Sequence, residues 1–148
     1  MLKATLCYLS ERVGSNLRQQ GKQARCVNLK LRYADFTTIT RSQTLTQASD
    51  TDRTISDTGL KLLNKALAQE KQAVRLIGIG VSSLTEPARQ LDMLDSSAQR
   101  LEKLNKAIDR IRKKYGFTAI QTGRTRLLKD IFPETEGGYT LHTPSLSR

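Results

Sequence analysis

Lys30 and Arg32 stand on alternate positions of a short segment whose other residues are Val27, Leu29, Leu31 and Tyr33. A period of two marks a half-buried strand, with one face apolar and the other carrying Asn28, Lys30 and Arg32. Cations displayed on a bare sheet face can meet phosphates. A second segment, 36–45, is rich in β-branched residues and puts Thr38, Thr40 and Ser42 on one face. Hydroxyls in such a row donate to phosphate oxygens. In a third, Gly78 and Gly80 share a face with Leu76 and Ser82, while Ile77, Ile79 and Val81 point the other way. The two glycines leave that stretch flat and open to another backbone. These residues describe a surface that reads shape and phosphate, not bases. Base stacking would want an exposed aromatic ring, and the best candidate, Tyr33, falls on the apolar face. A plain solvated sheet face, with threonine merely a good strand former, is the alternative.

Catalytic constellations are weak. His142 is the sole histidine and lies in a Gly/Pro-containing tail, where it reads as solvated. Asp35, Asp50, Asp52 and Asp57 fall in turns and near a helix start, and capping accounts for them better than a metal does. Gly78-Ile79-Gly80 lacks the later glycine of a dinucleotide fingerprint and lies within a strand. Cys7 and Cys26 have no metal-type spacing and make no disulfide framework, so they read as small packing residues. No catalytic residue, metal site or cofactor is assigned to the chain, and a zinc finger is excluded.

The elements that must position the basic face can be read by periodicity. Leu2, Leu6, Leu9, Val13 and Leu17 form one helical stripe over 3–20, stopped at Gly21. Strands follow at 26–33 and 36–45, joined by a turn at Ala34-Asp35. Residues 46–53 read as a polar loop. A second helix spans about Asp52 to Glu70, with Gly59 as a weak point, and a third strand spans 73–84. The order helix, strand, strand, helix, strand predicts an α+β fold, an antiparallel sheet with two helices on one face. Residues 85–96 read as a linker containing Pro87. A helix over 97–115 follows, with Leu101, Leu104, Ile108 and Ile111 on one face and Gly116 ending it, and then an irregular tail to 148.

The 148 residues include 25 Lys and Arg against 14 Asp and Glu, a net charge of +11. By segment the charge is +6 over 1–49, +1 over 50–84, −2 over 85–95, +5 over 96–123 and +1 over 124–148. Two basic regions thus flank an acidic linker, and a basic domain suggests a polyanionic partner. The longest apolar run, Val74 to Val81, is broken by Arg75 and too short to span a bilayer. No signal peptide is read at the N-terminus. A membrane partner is therefore not expected, and a reducing, cytoplasmic setting is. With 37% hydrophobic and 5% aromatic residues and no Trp, the core must be aliphatic and modest.

The run from Leu29 to Ser42, containing Asp35-Phe36-Thr37-Thr38-Ile39-Thr40-Arg41-Ser42, and the run Val74-Arg75-Leu76-Ile77-Gly78-Ile79-Gly80-Val81-Ser82 resemble the little-finger domain of Y-family translesion DNA polymerases, in particular bacterial DNA polymerase IV. The resemblance covers about residues 2–84. It implies an accessory domain that grips primer-template DNA, with hairpin and last-strand residues on backbone phosphates. In this sequence those are Lys30, Arg32, Thr38, Thr40, Arg41, Ser42, Arg75 and Ser82, with Gly78 leaving room beside them. Arg41 and Arg75 rest on the resemblance, because their parity does not place them cleanly on the bare face. Gln90-Leu91-Asp92-Met93-Leu94 is similar to the sliding-clamp-binding peptide that follows the little finger in this family, with Met93 and Leu94 in place of Leu and Phe. The stretch 99–123 also looks like the tail of many such polymerases.

Two departures follow. The family's palm and finger domains, with their metal-binding carboxylates, are not in the chain. It is therefore expected not to polymerise DNA by itself, and the Mg2+ of the parent polymerase would lie elsewhere. The family's sheet is β-α-β-β-α-β, whereas this chain starts in the helix. Strand 73–84 is then expected to be an exposed edge, filled by residues near Phe117 to Thr122 or by a second copy of the chain. Other readings are an RNA-binding module, which wants stacking aromatics and a leading strand, and a protein-interaction domain charged only for solubility. An independent enzyme would need a convergent site.

Overall fold

The computed structural model describes residues 1–87 and 96–141. The expected clamp-binding peptide, Gln90 to Leu94, and His142 lie outside the described residues. The chain divides into two compact units, Leu2–Arg89 and a second that contains Gln90–Arg148.

In the first unit the element order is α1 (Leu2–Gln19), β1 (Gln23–Tyr33), β2 (Thr38–Ser49), α2 (Asp52–Gln69) and β3 (Val74–Thr85). The fold is α+β, with an antiparallel sheet ordered β2-β1-β3. β1 is central, and its alternation is borne out. Val27, Leu29, Leu31 and Tyr33 are at most 2% exposed. They form the core with Leu6 of α1 and Ile55, Leu62, Leu63 and Ala66 of α2. α1 packs beside α2 and over β3, and α2 lies over β1 and β2. Both helices therefore cover the same sheet face.

Local chemistry explains the helix ends. Thr51 caps α2, its hydroxyl accepting from the Thr54 N–H at 3.3 Å, and Asp52 in the first turn complements the helix dipole. α1 stops at Gly21, which has φ of 63°. Two glycines act through size. A Cβ at Gly14 would stand 2.0 Å from Asp52 Oδ1, and one at Gly59 would stand 2.6 Å from Ile79 Cδ1. Gly59, a weak point for an isolated helix, is thus what seats α2 on β3. Close by, Arg18 of α1 donates to Asp52 Oδ1 and to the Asp50 carbonyl, each at 2.8 Å, with the Arg18 side chain only 9% exposed.

Strand boundaries and the sheet edge differ from the sequence reading. β2 continues to Ser49, where a loop from 46 was expected. Its register with β1 shifts between Ala24 and Cys26, so that Ser49 pairs with Ala24. The bulge absorbs the extra residues and keeps the strand paired. β3 is an edge strand, paired with β1 alone among the described residues. The segment expected to cover it does not form a strand there: Phe117–Ala119 is a 3-10 turn. Arg112 draws this segment into that turn: its guanidinium lies 4.4 Å from the Phe117 ring centroid and donates to the Ile120 carbonyl at 3.3 Å.

The second unit is built on α3 (Ser96–Tyr115), two 3-10 turns at Phe117–Ala119 and Thr125–Leu128, and a hairpin of β4 (Glu134–Thr135) and β5 (Gly138–Tyr139). The Phe117 N–H donates to the Glu136 carbonyl at 3.3 Å, and the Tyr139 hydroxyl donates to Gln121 Oε1 at 2.9 Å. The hairpin thus folds back onto the turn after α3. The expected apolar stripe of α3 is corrected: Leu104 is 54% and Ile111 38% exposed, while Asn105 and Arg112 are buried. The Arg112 contacts rotate the helix away from its simplest amphipathic solution.

Leu63 is fully buried between α2 and the sheet. Leu63→Ala is expected to lower stability by about 2–5 kcal/mol, the range for a buried leucine that leaves a cavity. Urea unfolding of the full chain measures it, and a loss well below that range would mean that α2 does not bear on the core as described.

Candidate nucleic-acid interface

The face of the sheet turned away from α1 and α2 is set by register. Thr38, Arg32 and Leu76 form one row across the strands, and Thr40, Lys30 and Gly78 the next. Ser42, Asn28 and Gly80 follow, and Thr44, Cys26 and Ser82 complete the array. Lys30, Thr38, Thr40 and Ser42 are exposed, and Arg32, Gly78 and Ser82 are half-buried. Seven of the nine expected contact residues, all but Arg41 and Arg75, therefore share one face.

Hydrogen bonds hold the face in place. Arg32 Nε donates to Thr38 Oγ1 at 3.0 Å. Asn28 ties three strands together, its amide donating to Ser82 Oγ at 3.1 Å and its carbonyl accepting from Ser42 at 2.7 Å. Its role was hidden in the sequence. Parity puts Asn28 beside Lys30, but the two serines meet it only through cross-strand register. Lys30 stands over a bare floor. A Cβ at Gly78 would meet only the Lys30 Cβ, at 3.9 Å, and one at Gly80 would meet nothing within 4 Å. A side chain at either position would fill space that an approaching backbone can use.

Arg41 and Arg75 lie elsewhere. Arg41 pairs with Leu29 and shares the side of β2 that carries Ile39, the helix side. There it lines a cavity of about 230 Å3 with Tyr33, Asp35, Thr37, Ala66 and Gln69 among others. Arg75 lies over the Phe36 ring at 4.4 Å, a cation–π contact at the hairpin end of the sheet. Phe36 is 60% exposed and has φ of 67°. It takes the left-handed position that closes a short hairpin after the turn bond from its N–H to the Tyr33 carbonyl, 3.0 Å. The sequence reading had put Phe36 in the strand. The Asp35 side chain just before it is the signal for the turn.

Asp35 braces that turn. The Thr37 backbone N–H donates to it at 2.9 Å and the Gln72 amide at 3.1 Å. These bonds, the Thr37 N–H first, hold the Asp35 carboxyl below its usual range. Among the described residues no three of His, Cys, Asp and Glu converge on a metal site. No helix of the described residues is long and apolar enough to cross a membrane.

Fold and face together define an α+β module compatible with the little-finger fold, displaying cations and hydroxyls from one side of a sheet. Residues 1–93 match the impB/mucB/samB family C-terminal domain. A DNA polymerase IV of Dehalococcoides mccartyi is 50% identical over 131 residues, which is 88% of this chain and 33% of that protein. One from Desulfatibacillum aliphaticivorans is 38% identical over 120 residues, 78% of this chain and 30% of its own length. One from Clostridium kluyveri is 34% identical over 131 residues, covering 82% and 32%. The chain belongs to the impB/mucB/samB family, as the C-terminal domain found in Y-family DNA polymerases. It spans about a third of the length of the curated relatives it matches.

Because the folded pKa of Asp35 is lowered, its ionised carboxylate stabilises the turn at neutral pH. That contribution is complete above the ordinary carboxylate range and is lost as pH falls through the lower folded value. The stability difference between the unmodified chain and Asp35→Asn is expected to narrow over that acidic window. Urea midpoints at stepped pH read it, and a gap that stays constant would mean the carboxylate does not brace the turn.

Proposed function

We propose that this chain grips primer-template DNA for a translesion polymerase of the DNA polymerase IV kind and tethers it to the sliding clamp. One observation carries the DNA part: Lys30 and Arg32 stand on the sheet face opposite α1 and α2, in register with hydroxyls on β2 and glycines on β3. Cations and hydroxyls in such an array suit phosphate oxygens, which position a protein on a duplex without reading its sequence. The face holds no aromatic ring among the described residues, which favours a duplex backbone over stacked single-stranded bases. Thr38, Thr40, Ser42 and Ser82 are the hydroxyl donors, and Gly78 leaves room for the backbone. Arg75 reaches the same duplex from the hairpin end. Arg41, on the helix side, would contact it only past the outer edge of β2.

Clamp tethering is assigned to Gln90, Leu91, Asp92, Met93 and Leu94 on their sequence pattern. Leu91, Met93 and Leu94 would fill an apolar pocket while Gln90 sets register. Their burial is worth roughly 5–8 kcal/mol gross, much of it offset by ordering the peptide, so micromolar or weaker affinity is expected. In this reading nucleotidyl transfer and its Mg2+ belong to palm and finger domains of a longer polymerase. The free edge of β3 would accept a strand from that polymerase or from a second copy of this chain.

Fluorescence anisotropy of a labelled primer-template over a salt series tests the DNA grip. Binding should weaken linearly in log–log form, and Lys30→Gln with Arg32→Gln should reduce the slope by about two, one for each phosphate no longer neutralised. An unchanged slope in the folded double variant would remove the sheet face from the reading. For the clamp, Gln90→Ala with Leu91→Ala should abolish retention on immobilised clamp and spare DNA binding. Retention that survives both changes refutes the peptide assignment.

A further inference from the structure

α3 carries its positive charge on one side. Arg100, Lys103, Lys106, Arg110, Lys113 and Lys114 recur along it, and all six are exposed. At about 100° per residue, Lys103, Arg110 and Lys114 fall within about 40° of one another. Lys106 and Lys113 flank them on one side and Arg100 on the other. The opposite side of the helix differs: Asn105 and Arg112 are buried there, and Leu101 and Ile108 are half-buried. The contacts of Arg112 with Phe117 and the Ile120 carbonyl hold the helix in this rotation. The cationic row runs for about 21 Å at 1.5 Å per residue.

Such a row works against the helix that bears it. Lys106 and Arg110, and Arg110 and Lys114, are four residues apart, where like charges repel. Glu102 pairs with Lys106 at 2.7 Å, but both side chains are more than half exposed and the pair is screened. Charge kept for solubility alone would mix signs along the face. Here Glu102 and Asp109 lie together on its flank, and the row itself holds no acidic residue. A polyanion relieves the repulsion. Duplex DNA offers one phosphate charge per about 1.7 Å of axis, so every cation in the row can find one.

We propose that α3 is a second DNA-binding surface, separate from the sheet face, which holds backbone phosphates through this cationic row without reading bases. The inference takes its occupant from the DNA reading above but does not depend on the sheet face. An anionic lipid surface is the competing partner for a basic helix. It wants a broad exposed apolar face; α3 offers only a narrow flank of Leu104, Ile111 and Tyr115, and the side opposite the cations is packed, with Asn105 and Arg112 buried.

The test uses the full chain and a fluorescein-labelled duplex of mixed sequence, titrated at several salt concentrations. Lys103→Gln, Lys106→Gln, Arg110→Gln and Lys113→Gln together keep good helix formers in place. They should lower the log–log salt slope by about three to four and low-salt affinity by at least about tenfold. Lys103→Arg, Lys106→Arg and Lys113→Arg together should retain both. A glutamine variant that binds like the unmodified chain overturns the proposal. So does an equal loss in the arginine variant, which would indicate packing and not charge. Binding to phosphatidylserine vesicles that the glutamine variant loses, with DNA affinity unchanged, overturns it in favour of a membrane. If Lys30→Gln with Arg32→Gln is silent while the helix variant loses affinity, the sheet-face reading fails and this one stands. The reverse pattern sinks this one alone.

Discussion

The burial of one side of β1 is the constraint on which the rest of this domain depends. Val27, Leu29, Leu31 and Tyr33 are taken out of water by α1 and α2. Each such side chain is worth about 1.5–3 kcal/mol, an upper estimate because unfolded chains already bury part of their surface. The strand's pleat then leaves no choice for the residues between them. Asn28, Lys30 and Arg32 must face away from the helices. A slip of one residue would drive Lys30 and Arg32 into the core, where an unpaired charge costs several kcal/mol. The same force that builds the core therefore aims the cations outward.

The neighbours of β1 turn this polar face into an arranged one. Asn28 accepts from Ser42 and donates to Ser82, so the three strands are tied together on the side away from α1 and α2. Arg32 is braced by Thr38. Charges held this way lose less conformational freedom when a phosphate binds than free surface side chains would. The glycines of β3 contribute by what they lack, leaving the surface beside Lys30 low. At the hairpin end, Phe36 takes a left-handed backbone conformation that most side chains avoid, and Arg75 covers its ring. The domain thus places one cation by stacking and two by strand pleat.

The C-terminal unit solves a different problem with related means. Within it Leu128 and Thr125 are fully buried, and Arg112 joins α3 to the turn that follows it. A buried arginine is expensive unless its donors and its flat face are used. Here the Ile120 carbonyl accepts from Nη2 and the Phe117 ring covers the flat face. The cationic row of α3 is turned outward as a consequence, much as Lys30 and Arg32 are on β1.

Much of this was legible in the residues. The period-two pattern of 27–33, the helical stripe from Leu2 to Leu17 and the stops at Gly21 and Gly116 are local properties. Each depends on how one segment separates apolar from polar groups. The helix–strand–strand–helix–strand order and the polar identity of the exposed face follow from them directly. Tertiary structure alone decided which residues meet. Asn28 met Ser42 and Ser82 only through cross-strand register, and β2 ran on to Ser49 because a bulge absorbed the mismatch with β1. Gly59 became a seat for Ile79, and α3 rotated to bury Asn105 and Arg112 in place of Leu104 and Ile111. The physical reason is common to all of them. Periodicity states which face of an element is apolar, but register, close approach and helix rotation are settled by groups distant in sequence competing for the same space.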